Sequence, residues 1–277
     1  MTVRIGQIEY ANCVPLFMAF RELCPDAQYS YISGVPAVLN GLLAQGEIDL
    51  CPSSSIVYGN DPNRYWLLPD LSISAVGEVQ SVLLFSRKPL QELNGARIGL
   101  TNESDTSVAL LKIILNRFHG FANEYQRTGL PLTEAFSFFD ALLLIGDMAL
   151  KESLAGAHCH VYDLGAIWQQ QTGFPFVFAL WIVNRAAVAG KHAEVALLLQ
   201  SLLKAKELSK LRLERYAAEA TGLDWMSAQQ RAAYWRIISY DLDEQQLAGL
   251  SLFYRHAAEL GIIAEAPELS FFSIYSP

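Results

Sequence analysis

Charged residues are scarce in this sequence, and the net charge has the opposite sign to that needed by several classes of partner. Only 17% of the 277 residues are charged and 52% are hydrophobic, which is enough to bury sizeable cores and excludes a disordered chain. The formal net charge is −8. Nucleic acids and anionic membrane surfaces require a basic surface, so we expect neither as a partner. A small anionic ligand is compatible, because a local cluster of hydrogen-bond donors can hold it.

Long apolar runs are also absent. The longest apolar stretch, Phe174 to Val183, contains Pro175 and is too short to span a bilayer. The first residues, MTVRIGQIEYANCVPL, have no cationic segment followed by a long apolar segment, as a secretory signal would. We therefore expect a soluble protein in the cytoplasm.

Cysteine is rare, and its spacing does not indicate a metal site. No C-x-x-C pair occurs among the four cysteines Cys13, Cys24, Cys51 and Cys159. In a reducing compartment they are expected to be free thiols. His158, Cys159 and His160 are adjacent, but neighbouring positions of a strand face opposite sides, so we expect no metal there.

The sequence motifs of common enzyme classes are missing. There is no G-x-S-x-G elbow, H-E-x-x-H pair or Walker A loop, and no G-x-G-x-x-G follows the first predicted strand. The histidines form no convincing constellation at strand ends. Trp168 and Trp181 are interpreted as packing residues. We expect neither a cofactor nor a metal.

Short β-rich runs alternate with helical patterns over the first two thirds of the chain. The order at the start is strand Val3–Glu9, helix Pro15–Leu23, strand Tyr29–Ser33, helix Pro36–Ala44 and strand Ile48–Cys51. This order predicts parallel strands joined by right-handed crossovers. The later elements are strands Gln80–Ser86, Arg97–Thr101, Ala141–Gly146 and His160–Leu164, and a helix Ser104–Phe118.

The last third of the chain is almost entirely helical, with helices predicted over His192–Ala220, Ser227–Ser239 and Asp243–Leu260. No flexible linker separates this part from the rest, so we expect two lobes joined by chain crossings at Val79–Phe85 and Phe176–Val183. The predicted lobes are residues 1–83 plus 182–277, and an inserted lobe of residues 84–181. In such α/β folds ligands bind in the cleft between lobes, at the carboxyl ends of parallel strands.

The strongest local signal is the run from Thr101 to Ser107, which follows a strand and opens an apolar helix. Helix N-termini attract anions through their N–H groups and dipole, and the hydroxyls of Ser104, Thr106 and Ser107 add donors. The alternative interpretation is simple capping of the helix by Ser104 or Asp105.

Polar residues also follow two strands of the first lobe. Ser53, Ser54 and Ser55 come after the third predicted strand, and Asn12 comes after the first. These side chains either face the cleft or cap the helices that follow. Asp147, at a later strand-to-helix junction, presents the same two alternatives.

A set of motifs runs in order across residues 4–185. The motifs are Ile5-Gly6 with Asn12-x-x-Pro15, Gly46-x-Ile48-Asp49 with Ser53-Ser54-Ser55, Ser72-Ile73-Ser74-Ala75 through Ser81-Val82, Ser104-x-Thr106-Ser107, Leu144-Ile145-Gly146-Asp147 and Asp163-Leu164-Gly165. Together they resemble the menaquinone-biosynthesis family of the futalosine pathway. The resemblance implies an α/β fold of the type II periplasmic-binding-protein kind, with two lobes, a ligand cleft and a helical C-terminal part.

Two sibling activities share that fold, and the resemblance implies one of them. One sibling removes water from chorismate to give 3-[(1-carboxyvinyl)oxy]benzoate. The other is a later dihydroxynaphthoate synthase, with a His-Glu pair where this chain has Gly146-Asp147. The implied activity is thus a carbon–oxygen lyase with chorismate as its small-molecule substrate. The alternatives are the naphthoate synthase, a non-catalytic solute-binding protein and the sensing module of a transcription factor; the oligomeric state is left open.

The resemblance also implies roles for individual residues. Asn12 is expected to hold the departing C4 hydroxyl or a substrate carboxylate, and Ser81 to donate to a carboxylate or relay a proton. Asp147 is the alternative base to the substrate's own enolpyruvyl carboxylate. The substrate-binding residues are expected to be Ser53, Ser54, Ser55, Ser104, Thr106, Ser107 and Gly146.

Overall fold

The fold is described from a computed structural model that covers residues 2–25 and 29–274. The strands are β1 (Val3–Ile8), β2 (Tyr29–Gly34), β3 (Leu50–Ser54), β4 (Tyr65–Ala75), β5 (Val82–Ser86), β6 (Arg97–Leu100), β7 (Glu124–Arg127), β8 (Ala141–Ile145), β9 (His160–Asp163), β10 (Phe176–Asn184) and β11 (Ile238–Ser239).

The α-helices alternate with these strands and dominate the C-terminal third. They are α1 (Val14–Leu23), α2 (Pro36–Gln45), α3 (Ser55–Asn60), α4 (Asp105–Lys112), α5 (Leu132–Ala135), α6 (Gly146–Leu154), α7 (Leu164–Thr172), α8 (His192–Leu211), α9 (Leu213–Glu219), α10 (Ala228–Ile237) and α11 (Glu244–Glu259). Short 3₁₀ helices cover Ala11–Cys13 and Leu90–Glu92, and a π-helix covers Ile113–Phe118. None of the helices in the described ranges is long and apolar enough to cross a membrane.

The chain divides into two compact units. Unit 1 contains Met1–Ile73, Ala179–Asp243 and Pro267–Pro277, and unit 2 contains Ser74–Phe178 and Glu244–Ala266. This division differs from the predicted ranges 1–83 plus 182–277 and 84–181, chiefly because α11 joins unit 2. The ring of Phe253 in α11 packs 5.1 Å from that of Phe176. Gly249 approaches so closely that an added Cβ would lie 2.2 Å from the Pro175 carbonyl oxygen. The role of the units as lobes stays a prediction.

The sheet of unit 1 has the strand order β11-β4-β10-β3-β1-β2. β1 pairs in parallel with β2 and β3, which confirms the predicted parallel strands. β10 runs antiparallel to β3 and pairs Leu180 with Ser53 and Ala179 with Ser54. Ser53 and Ser54 therefore lie inside a strand, not in the loop predicted after Cys51, because the β10 partner extends the strand to Ser54.

β4, like the shorter β7 and β11, is a strand that the sequence pattern did not predict. Pro69 and the positive φ of 60° at Asp70 interrupt it, which hides its strand character in the sequence. Tertiary hydrogen bonds sustain it: Lys206 Nζ donates to the Asp70 carbonyl at 2.8 Å, and the Ser72 N–H donates to the Tyr240 carbonyl at 2.9 Å. Long-range partners thus override a weak local pattern.

The sheet of unit 2 has the order β7-β6-β8-β5-β9. β6 is parallel to β7 and β8, and β5 is antiparallel to β8 and β9.

Two predicted helices are divided in the structure: the Ser104–Phe118 helix changes to a π-helix after Lys112, and the His192–Ala220 helix is interrupted at Arg212. Helical periodicity does not report such changes of hydrogen-bond register.

The buried carboxylate of Asp49 joins three parts of unit 1. The Arg4 backbone N–H donates to Asp49 Oδ2 at 2.8 Å, and the Arg4 guanidinium reaches Oδ1 at 2.5 Å. Lys191 Nζ donates to Oδ2 at 2.7 Å. Burial alone would raise the pKa of Asp49, but the hydrogen bonds from Arg4 and Lys191 outweigh it and lower the pKa. The carboxylate thereby ties β1 to the start of β3 and to the residue that precedes α8.

Asp49→Asn is expected to lower the free energy of unfolding by about 3–5 kcal/mol at pH 7, because it leaves two cations next to a buried neutral amide. Urea denaturation measures the change. The matched control is Asp61→Asn, which breaks the pair with Arg64 at 3.3 Å, where both side chains are about half exposed. The control should lose less than about 1 kcal/mol.

The same prediction has a pH signature. A carboxyl group whose folded pKa is lowered stabilises the fold above the ordinary Asp pKa of about 4, and this contribution disappears as pH falls through the lowered folded value. The difference in the free energy of unfolding between wild type and Asp49→Asn should therefore be largest at neutral pH and become smaller below about pH 4. A difference that persists unchanged into acid would contradict the electrostatic account.

Candidate active site

One group of polar residues lies at a single edge of the unit 1 sheet, and we term it the Asn12 cluster: Asn12, Ser53, Ser54 and Ser55. Asn12 follows β1, Ser53 and Ser54 end β3, and Ser55 begins α3. Since β1 and β3 are neighbouring parallel strands, their carboxyl ends meet at the same edge. The structure thus brings these four predicted residues to one place in unit 1.

Asn12 does not act as a helix cap. The 3₁₀ turn Ala11–Cys13 and α1 have Tyr10 and Cys13 as their N-caps, and neither cap position makes a side-chain cap hydrogen bond. The Asn12 Oδ1 atom is buried and has no hydrogen-bond partner within residues 2–25 and 29–274. A buried acceptor left unpaired is costly, so it is a candidate to receive a hydrogen bond from a ligand.

The serines of the Asn12 cluster face different ways. Ser53 donates its hydroxyl hydrogen to Asn40 Oδ1 in α2. Ser54 is the next strand residue and points to the opposite face, as does Trp181 in the neighbouring strand. That face is covered by α1, because the Phe17 ring lies 5.9 Å from the Trp181 ring. The Ser53 hydroxyl is already engaged by Asn40, whereas Ser54, the N-cap of α3, makes no side-chain cap hydrogen bond.

Trp181 carries a donor that the sequence analysis did not single out. Trp168 and Trp181 are both fully buried. The Trp168 Nε1 donates to the Pro175 carbonyl at 3.2 Å, whereas the Trp181 Nε1 is buried without a partner in the described part of the chain. No sequence signal separates these two tryptophans, because the difference arises from what the fold places around each indole.

A second group lies at one edge of the unit 2 sheet, and we term it the Ser104 cluster: Ser81, Ser104, Thr106, Ser107, Gly146 and Asp147. β6 and β8 are parallel, so Ser104 and Gly146 follow their carboxyl ends at the same edge. β5 is antiparallel to β8, which brings Ser81 at its start to this edge as well. The Gly146 N–H donates to the Ser81 carbonyl at 2.8 Å.

The N-terminus of α4 is capped by a neutral side chain. Ser104 Oγ accepts from the Ser107 N–H at 3.2 Å and from the Ser107 hydroxyl at 3.1 Å, so the capping interpretation of Ser104 is confirmed. Thr106 is fully buried in the first turn. Asp105 is the first helical residue and pairs with Arg127. A neutral cap leaves the positive end of the helix dipole available to an anion.

The N-terminus of α6 is formed differently. Gly146 begins the helix with a φ of 57°, in the left-handed region that favours glycine. The N-cap is Ile145, which makes no side-chain cap hydrogen bond. Asp147 therefore does not occupy the predicted cap position: it lies within the first turn and is half-buried. The left-handed glycine turns the chain from β8 into α6 and sets where Asp147 lies.

Asp163 is a residue of this edge that the sequence analysis did not assign to the site. Its Oδ2 accepts from the N–H groups of Val79 at 3.0 Å and Gln80 at 2.6 Å, directly before Ser81. Its Oδ1 accepts from the first turn of α7. Burial raises the pKa of Asp163, and these backbone N–H groups oppose the shift. The sequence Asp-Leu-Gly at the start of a helix predicts that Asp163 is a cap. The second contact of the Asp163 carboxylate, with Val79 and Gln80, cannot be predicted from the sequence.

No three His, Cys, Asp or Glu side chains group together to hold a metal ion anywhere in residues 2–25 and 29–274. The polar groups of the two clusters are hydroxyl, amide and backbone N–H groups, with Asp147 as the carboxylate of the Ser104 cluster. Such groups bind and orient a polar ligand and stabilise charge that develops on it.

The comparison with known sequences decides the family. Residues 3–259 match the sequence profile of a family described as "Menaquinone biosynthesis". The chain belongs to this menaquinone biosynthesis family. The resemblance expected from the motifs is confirmed.

Relatives of this menaquinone biosynthesis family member include two proteins of Thermus thermophilus. One, named chorismate dehydratase, is 36% identical over 265 residues, which cover 90% of this chain and 93% of that protein. The other, named 1,4-dihydroxy-6-naphtoate synthase, is 26% identical over 240 residues and 83% of each chain.

A solved structure places the fold of this family member. The periplasmic aliphatic sulphonate binding protein of Escherichia coli matches 100% of this chain and 95% of its own, with a TM-score of 0.67 at 15% identity. The predicted periplasmic-binding-protein-like α/β fold is thereby confirmed.

Gly146→Ala is expected to lower the free energy of unfolding by about 1–2 kcal/mol, because an alanine in the left-handed region brings its Cβ against the following carbonyl. The control is Gly129→Ala in the same unit, which has no left-handed φ and whose added Cβ would meet Asn102 Nδ2 at an ordinary 3.7 Å. The control should change stability by less than about 0.5 kcal/mol. Urea denaturation measures both variants. Equal losses of unfolding free energy in Gly146→Ala and Gly129→Ala would contradict the role assigned to the left-handed backbone at Gly146.

Proposed function

We propose that this chain is a chorismate dehydratase, a hydro-lyase that converts chorismate into 3-[(1-carboxyvinyl)oxy]benzoate and water. The observation that carries the proposal is the 36% identity over 90% of the chain to a protein of that name, against 26% to the naphtoate synthase. Gly146 and Asp147 support the same choice, because the resemblance expects a His-Glu pair there in the sibling activity. A cytoplasmic location is part of the proposal.

The reaction removes a proton from ring carbon C3 and the hydroxyl group from C4. The ring carboxylate is conjugated with C3, so loss of the C3 proton moves negative charge onto the carboxylate oxygens. The C4 hydroxyl then leaves, takes up a proton to become water, and the ring becomes aromatic. No net oxidation or reduction occurs, so the chemistry requires groups that bind anions and move a proton.

The Ser104 cluster suits the ring carboxylate. The N-terminus of α4, with the buried Thr106 in its first turn, lies at this edge, and the neutral Ser104 caps it while accepting the hydroxyl hydrogen of Ser107. Fixed donors of this kind stabilise charge as it builds in the transition state, without the reorganisation that water would need. Ser81 is held at the same edge by the backbone hydrogen bond from Gly146, and it is proposed to donate to the carboxylate or relay a proton.

The Asn12 cluster suits the departing hydroxyl. The unpartnered Asn12 Oδ1 requires a donor, and the C4 hydroxyl of chorismate is one, whereas a carboxylate has no hydrogen to give at neutral pH. Of the two roles expected for Asn12, holding the C4 hydroxyl is therefore favoured. The Nδ2 group of the same amide can donate to the oxygen as it leaves. Ser54, next along the same edge, is proposed as a further substrate contact.

The proton at C3 is proposed to be taken by the enolpyruvyl carboxylate of the substrate itself. Asp147 is the alternative base, because its carboxylate lies half-buried in the Ser104 cluster. If Asp147 is the base, Asp147→Asn should lose most of its turnover. If the substrate supplies the base, this variant should keep much of its turnover.

Purified protein incubated with chorismate is expected to yield a product lighter by one water, with the mass and ultraviolet spectrum of an enolpyruvyl-substituted benzoate. Heat-denatured protein is the control for spontaneous decomposition. If calorimetry detects binding of chorismate but no product forms, the proposed function would be that of a solute-binding protein and not that of an enzyme. Neither binding nor product would reject the assignment.

Asn12→Asp is expected to lose at least about a hundredfold in single-turnover rate, because a new anion faces an anionic substrate and the leaving hydroxyl loses a donor. Asp147→Asn should stay within about tenfold of wild type if the substrate supplies the base. Asp105→Asn is the matched control, since Asp105 also lies in a first helical turn of this sheet edge but pairs with Arg127. An Asp147→Asn enzyme that binds normally and loses more than about four decades of rate would make Asp147 the base.

A further inference from the structure

The main chain that carries Asn12 is held by two buried side chains from the C-terminal part of unit 1. Trp235 Nε1, from α10, donates to the Ala11 carbonyl at 2.8 Å. The Tyr240 hydroxyl, from the residue after β11, donates to the Asn12 carbonyl at 2.7 Å. Trp235 is 2% exposed and Tyr240 4%, so neither hydrogen bond competes with bulk water. Two consecutive carbonyl groups at the Asn12 cluster thereby accept hydrogen bonds from buried side chains.

The Tyr240 hydroxyl also determines the shape of this turn. Burial raises the pKa of Tyr240 well above its ordinary value, and the hydrogen bond with the Leu16 backbone N–H opposes the shift. The hydroxyl therefore lies between the Asn12 carbonyl and the Leu16 amide, which would bond to each other in a regular α-helix. The Ala11 carbonyl accepts instead from Val14, and the segment is a 3₁₀ turn. An inserted side chain is a known cause of such local change in a helix.

The two clamping side chains are themselves firmly placed. α10 begins with a capping box formed by Ser227 and Gln230. The Tyr240 carbonyl accepts from the Ser72 N–H of β4 at 2.9 Å. The next residue, Asp241, forms ion pairs with Lys206 and Lys210, each at 2.9 Å. The clamp thus connects the Asn12 turn to a strand and to the long helix α8.

We propose that Trp235 and Tyr240 are positioning residues that hold the Asn12 side chain in its reactive orientation; this inference rests on the proposed function. The Asn12 Oδ1 has no hydrogen-bond partner among the described residues, so the main chain held by Trp235 and Tyr240 is a determinant of where the amide points. Misplacement of a reacting group by about 1 Å costs on the order of a hundredfold in rate. The clamp therefore gives the C-terminal segment a part in the reaction, although it contacts no substrate.

Tyr240→Phe and Trp235→Phe are each expected to lower kcat on chorismate at least about tenfold, with KM within about twofold of wild type. The controls remove the same groups elsewhere. Tyr216→Phe loses a hydroxyl that donates to Glu22 at 2.7 Å, and Trp168→Phe loses the indole bond to Pro175 at 3.2 Å. Both control residues are equally buried, and their variants should lose comparable thermal stability with kcat within about twofold of wild type.

A double-mutant cycle separates positioning from general stabilisation. In an Asn12→Ala background, Tyr240→Phe should lower the residual rate by no more than about twofold, because the residue it positions is gone. A further tenfold loss in that background would overturn the proposal. If Tyr240→Phe does not fold, Trp235→Phe provides the same cycle through the neighbouring carbonyl.

Ligand-free crystal structures distinguish failure of this inference from failure of the proposed function. In Tyr240→Phe the backbone dihedral angles or χ1 of Asn12 should differ from wild type, whereas Tyr216→Phe should leave them unchanged. Identical Asn12 conformations in all three structures would overturn the clamp. This comparison stands even if wild type does not convert chorismate, a result that would reject the dehydratase assignment alone.

Discussion

The arrangement of unit 1 depends on the buried carboxylate of Asp49. It lies where β3 begins, and both its side chain and its backbone act in sheet formation. The Asp49 N–H donates to the Arg4 carbonyl at 2.8 Å, and the Asn184 N–H donates to the Asp49 carbonyl at 2.9 Å, so one residue sets the alignment of β1, β3 and β10. These strands carry the Asn12 cluster at their other ends. The backbone hydrogen bonds of Asp49 at one edge of the sheet thus set the register that brings the polar groups together at the opposite edge.

At the edge of the unit 2 sheet, neighbouring helices have different N-caps and therefore different roles. Helices α4, α6 and α7 all begin there, and the N-cap of α7 is a carboxylate, that of Asp163. α4 has the neutral Ser104, and α6 begins at Gly146 with no side-chain cap. Asp163 at the start of α7 thus has a structural role, because it also binds the segment before Ser81. The helix with a neutral cap keeps its positive end for a ligand.

Local patterns predicted most of the fold, and long-range contacts account for what they missed. The β-α-β-α-β start was predictable because each buried strand and each capped helix carries its own signal. β4 was not, because Pro69 and Asp70 break its pattern and partners far along the chain restore it. Helix α11 itself was predicted, but its packing against Phe176 in unit 2 was not, because that contact has no local signature.

The candidate site was predictable to a similar extent. Residues after strand ends could be identified from their sequence positions, and the structure brings them to one edge in each unit. The direction of Ser53 toward Asn40 and the unused indole of Trp181 depend on the burial of individual atoms, which spacing does not encode. The clamp on Asn12 was equally hidden, because aromatic residues in a helical tail are typical of ordinary core packing.

The hydrogen bond between Tyr240 and Asn12 spans 228 positions in the chain and has a consequence for biosynthesis. A ribosome adds Tyr240 long after Asn12, because 228 positions separate them. N-terminal segments begin to fold during synthesis, yet the Asn12 turn cannot form its hydrogen bond with Tyr240 until that later segment has been made. A polypeptide released before Tyr240 is added would therefore carry the Asn12 cluster in an incomplete arrangement.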